Sequence, residues 1–115
     1  NVASVAGVFG IGSSVAYAAS KGALLTMTKS LARVLAPKIR VNAIAPGVVR
    51  TRLAEALWKE HEDLVASTIA LGRIGEPDDV AAATTFLVSD AASWVTGETF
   101  VIDGGQRLGN AGMFR

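Results

Sequence analysis

The sequence predicts an α/β fold in which a parallel sheet is covered by helices on both faces. The predicted elements follow the order strand end, helix, strand, helix, helix, strand along 115 residues. The strand at 39–46, IRVNAIAP, is mostly apolar on both faces, as strands of covered parallel sheets are. Half of the residues are hydrophobic, which is enough for the core of one small domain.

The first predicted elements surround a glycine-rich connection. Residues 1–4 are typical of the end of a buried strand, and the glycines that follow at 7, 10 and 12 predict a loop. A helix is predicted from about Val15 to Leu35, because leucines recur along one stripe beside small residues, and Pro37 ends it. The stripe consists of Leu24, Leu31 and Leu35, and the small residues are Ala18, Ala19, Gly22 and Ala23.

The second half of the chain carries two further helical segments and a last strand. Residues 51–69 predict an amphipathic helical segment with the charged run KEHED in solvent. Pro77 fits the first position of the next helix, where Asp78 and Asp79 suit the positive end of the helix dipole. The last strand is predicted at ETFVID, residues 98–103, and two glycines close it. Two strands and one strand end are too few for a complete sheet, so we expect one partial domain over residues 1–115.

Composition narrows the function classes. The net charge is +1 and no basic stripe is present, which argues against a nucleic-acid partner and favours small-molecule chemistry. No apolar run is long enough to cross a bilayer and no secretory signal is visible, so we predict no membrane partner and a cytoplasmic protein. There is no cysteine, and the single histidine, His61, lies in a charged run without metal-ligand spacing. We therefore predict no metal site.

Three side chains form a candidate catalytic group. Tyr17 and Lys21 are four residues apart on the first predicted helix, so they project from the same face one turn apart. An ammonium group beside a phenol favours the phenolate, which makes Tyr17 a candidate general acid/base. Ser4 follows the strand end, at the carboxyl edge where open α/β sheets bind ligands, and its hydroxyl could bond the same substrate oxygen. A Tyr and Lys pair at this spacing is also common on solvated helix surfaces.

The order of these motifs resembles the short-chain dehydrogenase/reductase family. Ser4, the Tyr-x-x-x-Lys of Tyr17 and Lys21, IRVNAIAPG, GRIGEPDDVA and TGETFVIDGG follow one another as they do in that family, from Asn1 to about Gln106. The resemblance implies the second, C-terminal half of a doubly wound, Rossmann-type domain. It also implies that Tyr17 moves the proton, that Lys21 supports Tyr17 and holds the nicotinamide ribose, and that Ser4 orients the substrate carbonyl.

The segment PGVVRT after the second strand is implicated in cofactor binding by the same resemblance. The main chain of Val49 would bond the nicotinamide carboxamide, Thr51 would support the carboxamide or pyrophosphate, and Pro46 and Gly47 would let the backbone approach the ring. The alternative role for Thr51 is a helix N-cap, which is compatible with the cofactor role. Trp58 belongs either to the core or to the mobile lid that covers the substrate in the family.

The resemblance implies an NAD- or NADP-dependent oxidoreductase that transfers hydride between nicotinamide and an alcohol or ketone, assembled as a homotetramer. A non-catalytic half-domain that serves as a folding or interaction partner, and a dehydratase or epimerase using the same Tyr and Lys, are alternatives. The family's glycine-rich turn and the residue that selects NAD or NADP have no counterpart in these 115 residues, and we expect them upstream of Asn1. We accordingly expect the isolated chain neither to fold stably nor to reduce carbonyls.

Overall fold

The structure is a computed structural model that describes residues 1–109 of the chain. The helices are α1 (Val5–Phe9), α2 (Val15–Leu35), α3 (Glu55–Trp58), α4 (Glu62–Ser67) and α5 (Pro77–Val88), and the strands are β1 (Ala43–Pro46) and β2 (Thr99–Ile102). Short 3₁₀ turns occupy Asp90–Ala92 and Gln106–Leu108. Residues 110–115 of the predicted domain lie outside the described residues.

The strands form a parallel arrangement with β1 in the centre. β1 pairs with β2 so that Ala43 lies opposite Thr99 and Pro46 opposite Ile102. On the other side of β1, Val2 forms a parallel bridge with Ile44, and the Ala3 N–H donates to the Ile44 carbonyl at 2.8 Å. All three segments therefore end at one edge of the sheet, where ligands of open α/β sheets bind. The predicted α/β parallel fold is confirmed.

Helices cover both faces of β1. Ala43, Ile44 and Ala45 are consecutive and all buried, although neighbouring side chains of a strand point to opposite faces. Ile44 lines a cavity together with Leu87 of α5, while α1 and α2 also contact β1. Because side chains alternate, Ala43 and Ala45 lie on the face opposite Ile44. The strand is buried as the apolar sequence of 39–46 indicates.

Two helices begin where local sequence signals place them. The Ser14 hydroxyl accepts the Tyr17 N–H at 3.1 Å and caps α2, which spans the predicted 15–35. Pro77 opens α5, where the Asp79 N–H donates to the Glu76 main-chain carbonyl at 2.9 Å and the Asp79 carboxylate accepts the Glu76 N–H at 2.7 Å. These caps satisfy N–H groups that have no partner within the helix.

The loop predicted after the strand end is wrong in part, because residues 5–9 form α1. The Ser4 hydroxyl accepts the Ala6 N–H at 3.1 Å and caps the first turn. Gly10 ends the helix with a φ of 68°, a left-handed conformation that glycine adopts without a steric cost. Capping at both ends stabilises a helix too short to persist by itself.

The single helical segment predicted over 51–69 is also wrong, because it consists of two short helices, α3 and α4. His61 separates them with φ −135° and ψ 37°, which is not helical.

The strand predicted over 39–46 forms regular strand hydrogen bonds only from Ala43 onward. Before it, the Asn42 side chain donates to the Val95 carbonyl and accepts the Glu98 N–H. Asn42 thus has an architectural role, since its side chain bonds the backbone of Val95 and Glu98.

Candidate active site

Ser4 stands where the strand end passes into α1, and α1 packs closely on α2. A Cβ added to Gly7 of α1 would lie 2.5 Å from the Gly22 nitrogen and from the Lys21 carbonyl carbon. Only glycine permits so close an approach of two helix backbones. The packing brings the helix that Ser4 caps against the turn of α2 that carries Lys21. Sequence reasoning missed this role of Gly7, although the small residue at 22 was a signal for close packing.

Tyr17 and Lys21 lie together on α2 as their spacing predicts. The Lys21 Nζ is 5.7 Å from the centroid of the Tyr17 ring and donates to the Val2 carbonyl at 3.2 Å. The ammonium group therefore connects α2 to the strand end that precedes Ser4. Within residues 1–109 the Tyr17 hydroxyl has no hydrogen-bond partner, and the side chain is partly exposed. A phenol hydroxyl without a partner is able to exchange a proton with a ligand.

The loop after β1 lies at the same edge. Gly47 donates its N–H to the Ile102 carbonyl at 2.9 Å, and a Cβ there would lie 2.8 Å from the Asp103 Cβ. This close contact with Asp103 is enough to require glycine at position 47. Val49 accepts the Thr51 N–H at 2.8 Å, and its own N–H has no partner among the described residues. An unpaired backbone donor at this edge suits a ligand carbonyl.

Thr51 caps a turn rather than a helix. Its hydroxyl accepts the Ala54 N–H at 3.2 Å, whereas α3 begins only at Glu55. The alternative N-cap role of Thr51 is therefore wrong in its detail, because Ala54 occupies the N-cap position of α3. The hydroxyl proton of Thr51 stays available to an acceptor. Over the described residues, no hydrogen bond joins this loop to Tyr17 or Lys21.

A cluster around Arg50 was not anticipated from the sequence. The Arg50 guanidinium bonds the carboxylates of Glu62 in α4 and Glu76 before α5, the second at 2.9 Å. It also stacks 4.9 Å from the centre of the Trp58 ring. Arg50 thereby contacts three separate elements. The only advance signal was its position in the PGVVRT motif, since its partners are 12 and 26 residues away.

Two carboxylates near this edge are held ionised by arginines. The bond from Arg50 keeps the pKa of Glu62 below its usual range. Arg73 bonds Asp79 at 2.7 and 2.9 Å and, with the Glu76 N–H, keeps the pKa of Asp79 far below its usual range. Both groups are partly exposed to solvent and form ion pairs of a kind that contributes little to stability. Each ion pair connects two segments of the chain.

Within residues 1–109, no group of three or more acidic, histidine or cysteine side chains could hold a metal ion. None of the helices described there is both long and apolar enough to cross a membrane.

Two cavities lie near the sheet, one of about 510 Å³ beside β1 and one of about 190 Å³ near Val49. Neither is lined by Ser4, Tyr17 or Lys21. Tyr17 is exposed, and Ser4 and Lys21 are half-buried.

The sequence is similar to known proteins over nearly its whole length. A family profile described as enoyl-(acyl carrier protein) reductase matches residues 1–107. The chain is 46% identical over 106 residues to 3-oxoacyl-[acyl-carrier-protein] reductase of Thermotoga maritima, covering 91% of this chain and 43% of the relative. It is 48% identical over 108 residues to 3alpha-hydroxysteroid dehydrogenase of Mediterraneibacter gnavus, covering 93% and 43%. The chain thus spans less than half the length of these relatives.

The fold agrees with that of a solved dehydrogenase. The structure of a 4-hydroxyisoleucine dehydrogenase mutant complexed with NADH and succinate matches with a TM-score of 0.88 and 41% identity, covering 96% of this chain and 46% of that one. The parallel sheet of the chain agrees with the Rossmann-type fold of these dehydrogenases. The chain belongs to the short-chain dehydrogenase/reductase family.

Proposed function

We propose that this chain carries the proton-transfer side and the nicotinamide side of an NAD(P)-dependent oxidoreductase acting on an alcohol or ketone. The observation that carries the proposal is the Tyr17 hydroxyl, which has no partner within residues 1–109, with the Lys21 ammonium 5.7 Å from its ring. The relatives named above are reductases and dehydrogenases of carbonyl and hydroxyl substrates. The substrate class is therefore a small molecule with a carbonyl or secondary alcohol.

Tyr17, Lys21 and Ser4 have different roles at the substrate oxygen. Tyr17 gives its hydroxyl proton to that oxygen during reduction and takes it back during oxidation. The charge of Lys21 stabilises the phenolate that remains. Ser4 uses its oxygen to accept the Ala6 N–H, so its own O–H is left to donate to the substrate carbonyl. Two donors then act on one oxygen, which stabilises the charge that develops there.

The loop after β1 fits the nicotinamide end of the cofactor. The unpaired N–H of Val49 would hold the carboxamide, Thr51 would offer its hydroxyl, and Pro46 and Gly47 would form the backbone wall of the site. NAD or NADP, when bound, supplies or accepts the hydride. NADH is present in the matched 4-hydroxyisoleucine dehydrogenase, which supports this cofactor for the family. Lys21 would bond the ribose hydroxyls.

A grafted enzyme tests the function. Residues 1–107 would replace the aligned segment of the Thermotoga maritima reductase, whose other half supplies the rest of the domain. We expect a cooperatively folded protein that binds NADH or NADPH and reduces a 3-oxoacyl thioester or another ketone. A folded graft that binds cofactor but turns over no carbonyl in a broad panel would exclude the oxidoreductase and favour a non-catalytic half-domain.

Within the same experiment, Lys21→Ala is matched with Lys29→Ala, an exposed lysine on the same helix. Loss of Lys21 should weaken cofactor binding and lower kcat, each by about tenfold or more, because one ammonium serves both the ribose and the phenol. Lys29→Ala should change neither. An effect of Lys21→Ala on rate alone would contradict the ribose contact.

We also propose that the protein assembles as a homotetramer in the cytoplasm. Apolar side chains stand exposed on α2 and near α5, and the outer edge of β2 has no strand partner within residues 1–109. These side chains are Val15, Met27, Val34, Val88 and Trp94. We expect the grafted enzyme to sediment as a tetramer that Trp94→Glu dissociates and Trp94→Phe retains, since Trp94 is 98% exposed in the single chain. A monomer at working concentration would disprove the assembly.

A further inference from the structure

Residues 51–69, here termed the lid segment, lie between β1 and α5 and carry exposed leucines. Leu53, Leu57 and Leu64 are all more than half exposed, although the pattern of the segment is amphipathic. An exposed apolar surface beside a site at the sheet edge is suited to an apolar part of a ligand. The position of the lid segment then determines which apolar ligand groups fit the site. A contact with the rest of the chain is needed to fix that position.

Trp58 does not hold the lid segment through its own polar group. Its indole Nε1 is buried and, among residues 1–109, has no hydrogen-bond partner. A buried donor without an acceptor is unfavourable, so another interaction has to keep the ring in place. The Arg50 guanidinium, 4.9 Å from the ring centre, is that interaction.

Arg50 is anchored to the rigid side of the site. Its backbone N–H donates to the Gly75 carbonyl at 2.8 Å, and Val49 before it forms a parallel bridge with Gly75. Its side chain bonds Glu76, which caps α5 and is therefore fixed to that helix. The guanidinium of the same residue contacts Trp58 of α3 and Glu62 of α4.

Within the lid segment, Arg50 bonds Glu62 at the start of α4 and stacks on Trp58 at the end of α3. The two carboxylates share one guanidinium, so removal of Arg50 would leave Glu62 and Glu76 as neighbouring charges of the same sign. Repulsion between them would weaken the attachment of α4 to the start of α5. Arg50 thus links the two short helices to the start of α5.

We infer that Arg50 is a positioning residue for the substrate, holding the lid segment over the sheet edge by bridging Glu62 and Glu76 and stacking on Trp58. The inference deepens the proposed function and rests on it for the identity of the site. Val49, the residue before Arg50, is the proposed carboxamide contact, so cofactor and lid segment are linked through adjacent residues. The two ion pairs and the ring contact act together on one side chain.

Arg50→Ala in the grafted enzyme tests the inference, with Arg52→Ala as the matched control. Arg52 carries the same charge two residues away and, within the described chain, makes no side-chain bond. Arg50→Ala should accelerate amide hydrogen exchange in 55–67 and raise the substrate KM by about three- to tenfold, with kcat and cofactor affinity within about twofold of the parent. Arg50→Lys, which keeps the charge but cannot bridge as a planar fork, should fall between.

The exchange measurement separates the failure of this inference from the failure of the proposed function. If Arg50→Ala and Arg52→Ala show the same exchange in 55–67, Arg50 does not hold the lid segment, whatever the activity. If exchange rises but KM does not, the segment is held without serving the substrate, and the positioning role is wrong. Raised exchange in a graft without carbonyl activity would overturn the proposed function and the substrate role, and would leave only the structural bridge.

Discussion

Replacing Tyr17 with phenylalanine lowers kcat of the grafted enzyme by about 10²- to 10⁴-fold, the range contributed by one positioned general acid or base. The substitution removes only the hydroxyl that has no partner within the described residues. The ring remains, and with it the face that the Lys21 ammonium approaches at 5.7 Å. Cofactor affinity should therefore stay within about twofold of the parent, because binding and proton transfer depend on different atoms.

Ser20→Ala is the control for Tyr17→Phe. The Ser20 hydroxyl lies one turn away on α2 and donates to the Tyr17 carbonyl at 2.7 Å, so its removal perturbs the same backbone without touching the phenol. Steady-state kinetics with the best ketone, and fluorescence titration with NADH and NADPH, measure the two effects separately. A Tyr17→Phe enzyme with near-parental kcat, or with lost cofactor binding, would show that Tyr17 does not transfer the proton.

The part of the site that lies on one helix could be predicted from sequence alone. Tyr17 and Lys21 are brought together by helix geometry, which depends only on the spacing of four residues. The helix itself has local signals at both ends, a serine cap at Ser14 and a proline at 37. Where the relative position of two side chains depends only on residues within one helical turn, the sequence pattern predicts it correctly.

Elements held by distant contacts were not predictable in the same way. The small helix α1 has only five residues and contains a glycine, so its pattern indicates a loop. Its caps and its contact with α2 stabilise it instead. The lid segment has a helical pattern over its whole length, yet it is divided at His61, and Arg50 bonds the second part from outside. No periodicity carries the information that Arg50 will bond Glu62 and Glu76.

The strand bounds differ for a related reason. The apolar alternation of IRVNAIAP continues through Val41, so the pattern predicts a longer strand. The Val41 N–H bonds the Thr96 hydroxyl, and the side chain of Asn42 bonds the backbone of 95–98 in place of a strand neighbour. A polar side chain that satisfies the facing backbone ends the ladder without a change of hydrophobicity.

The relation of Ser4 to Tyr17 depends on how closely α1 approaches α2, and Gly7 sets that approach. Alanine at position 7 would bring its Cβ to 2.5 Å from the Gly22 nitrogen and the Lys21 carbonyl carbon, and to 2.8 Å from the Lys21 carbonyl oxygen. These are backbone atoms inside a helix of 21 residues and cannot swing away as a side chain can. The two helices must separate by about 1 Å to restore ordinary carbon contacts.

That separation should be costly for catalysis. Ser4 is the residue that caps α1, and Tyr17 and Lys21 belong to α2, so moving one helix changes the distance between the proposed donors. A displacement of about 1 Å between catalytic groups can lower the rate about 10²-fold. We expect this loss in kcat of a Gly7→Ala graft, together with about 1–3 kcal/mol of lost stability from overpacking.

Gly22→Ala is the matched control, because it adds a methyl group to the opposite side of the same contact. Its Cβ would meet the Gly7 oxygen at 3.4 Å, which is an ordinary distance, and alanine suits a helix interior better than glycine by about 1 kcal/mol. Gly22→Ala should therefore keep the rate and melt no lower than the parent, while Gly7→Ala loses both rate and stability. Equal behaviour of the two variants in kinetics and thermal melts would show that this close approach does not position Ser4 against Tyr17.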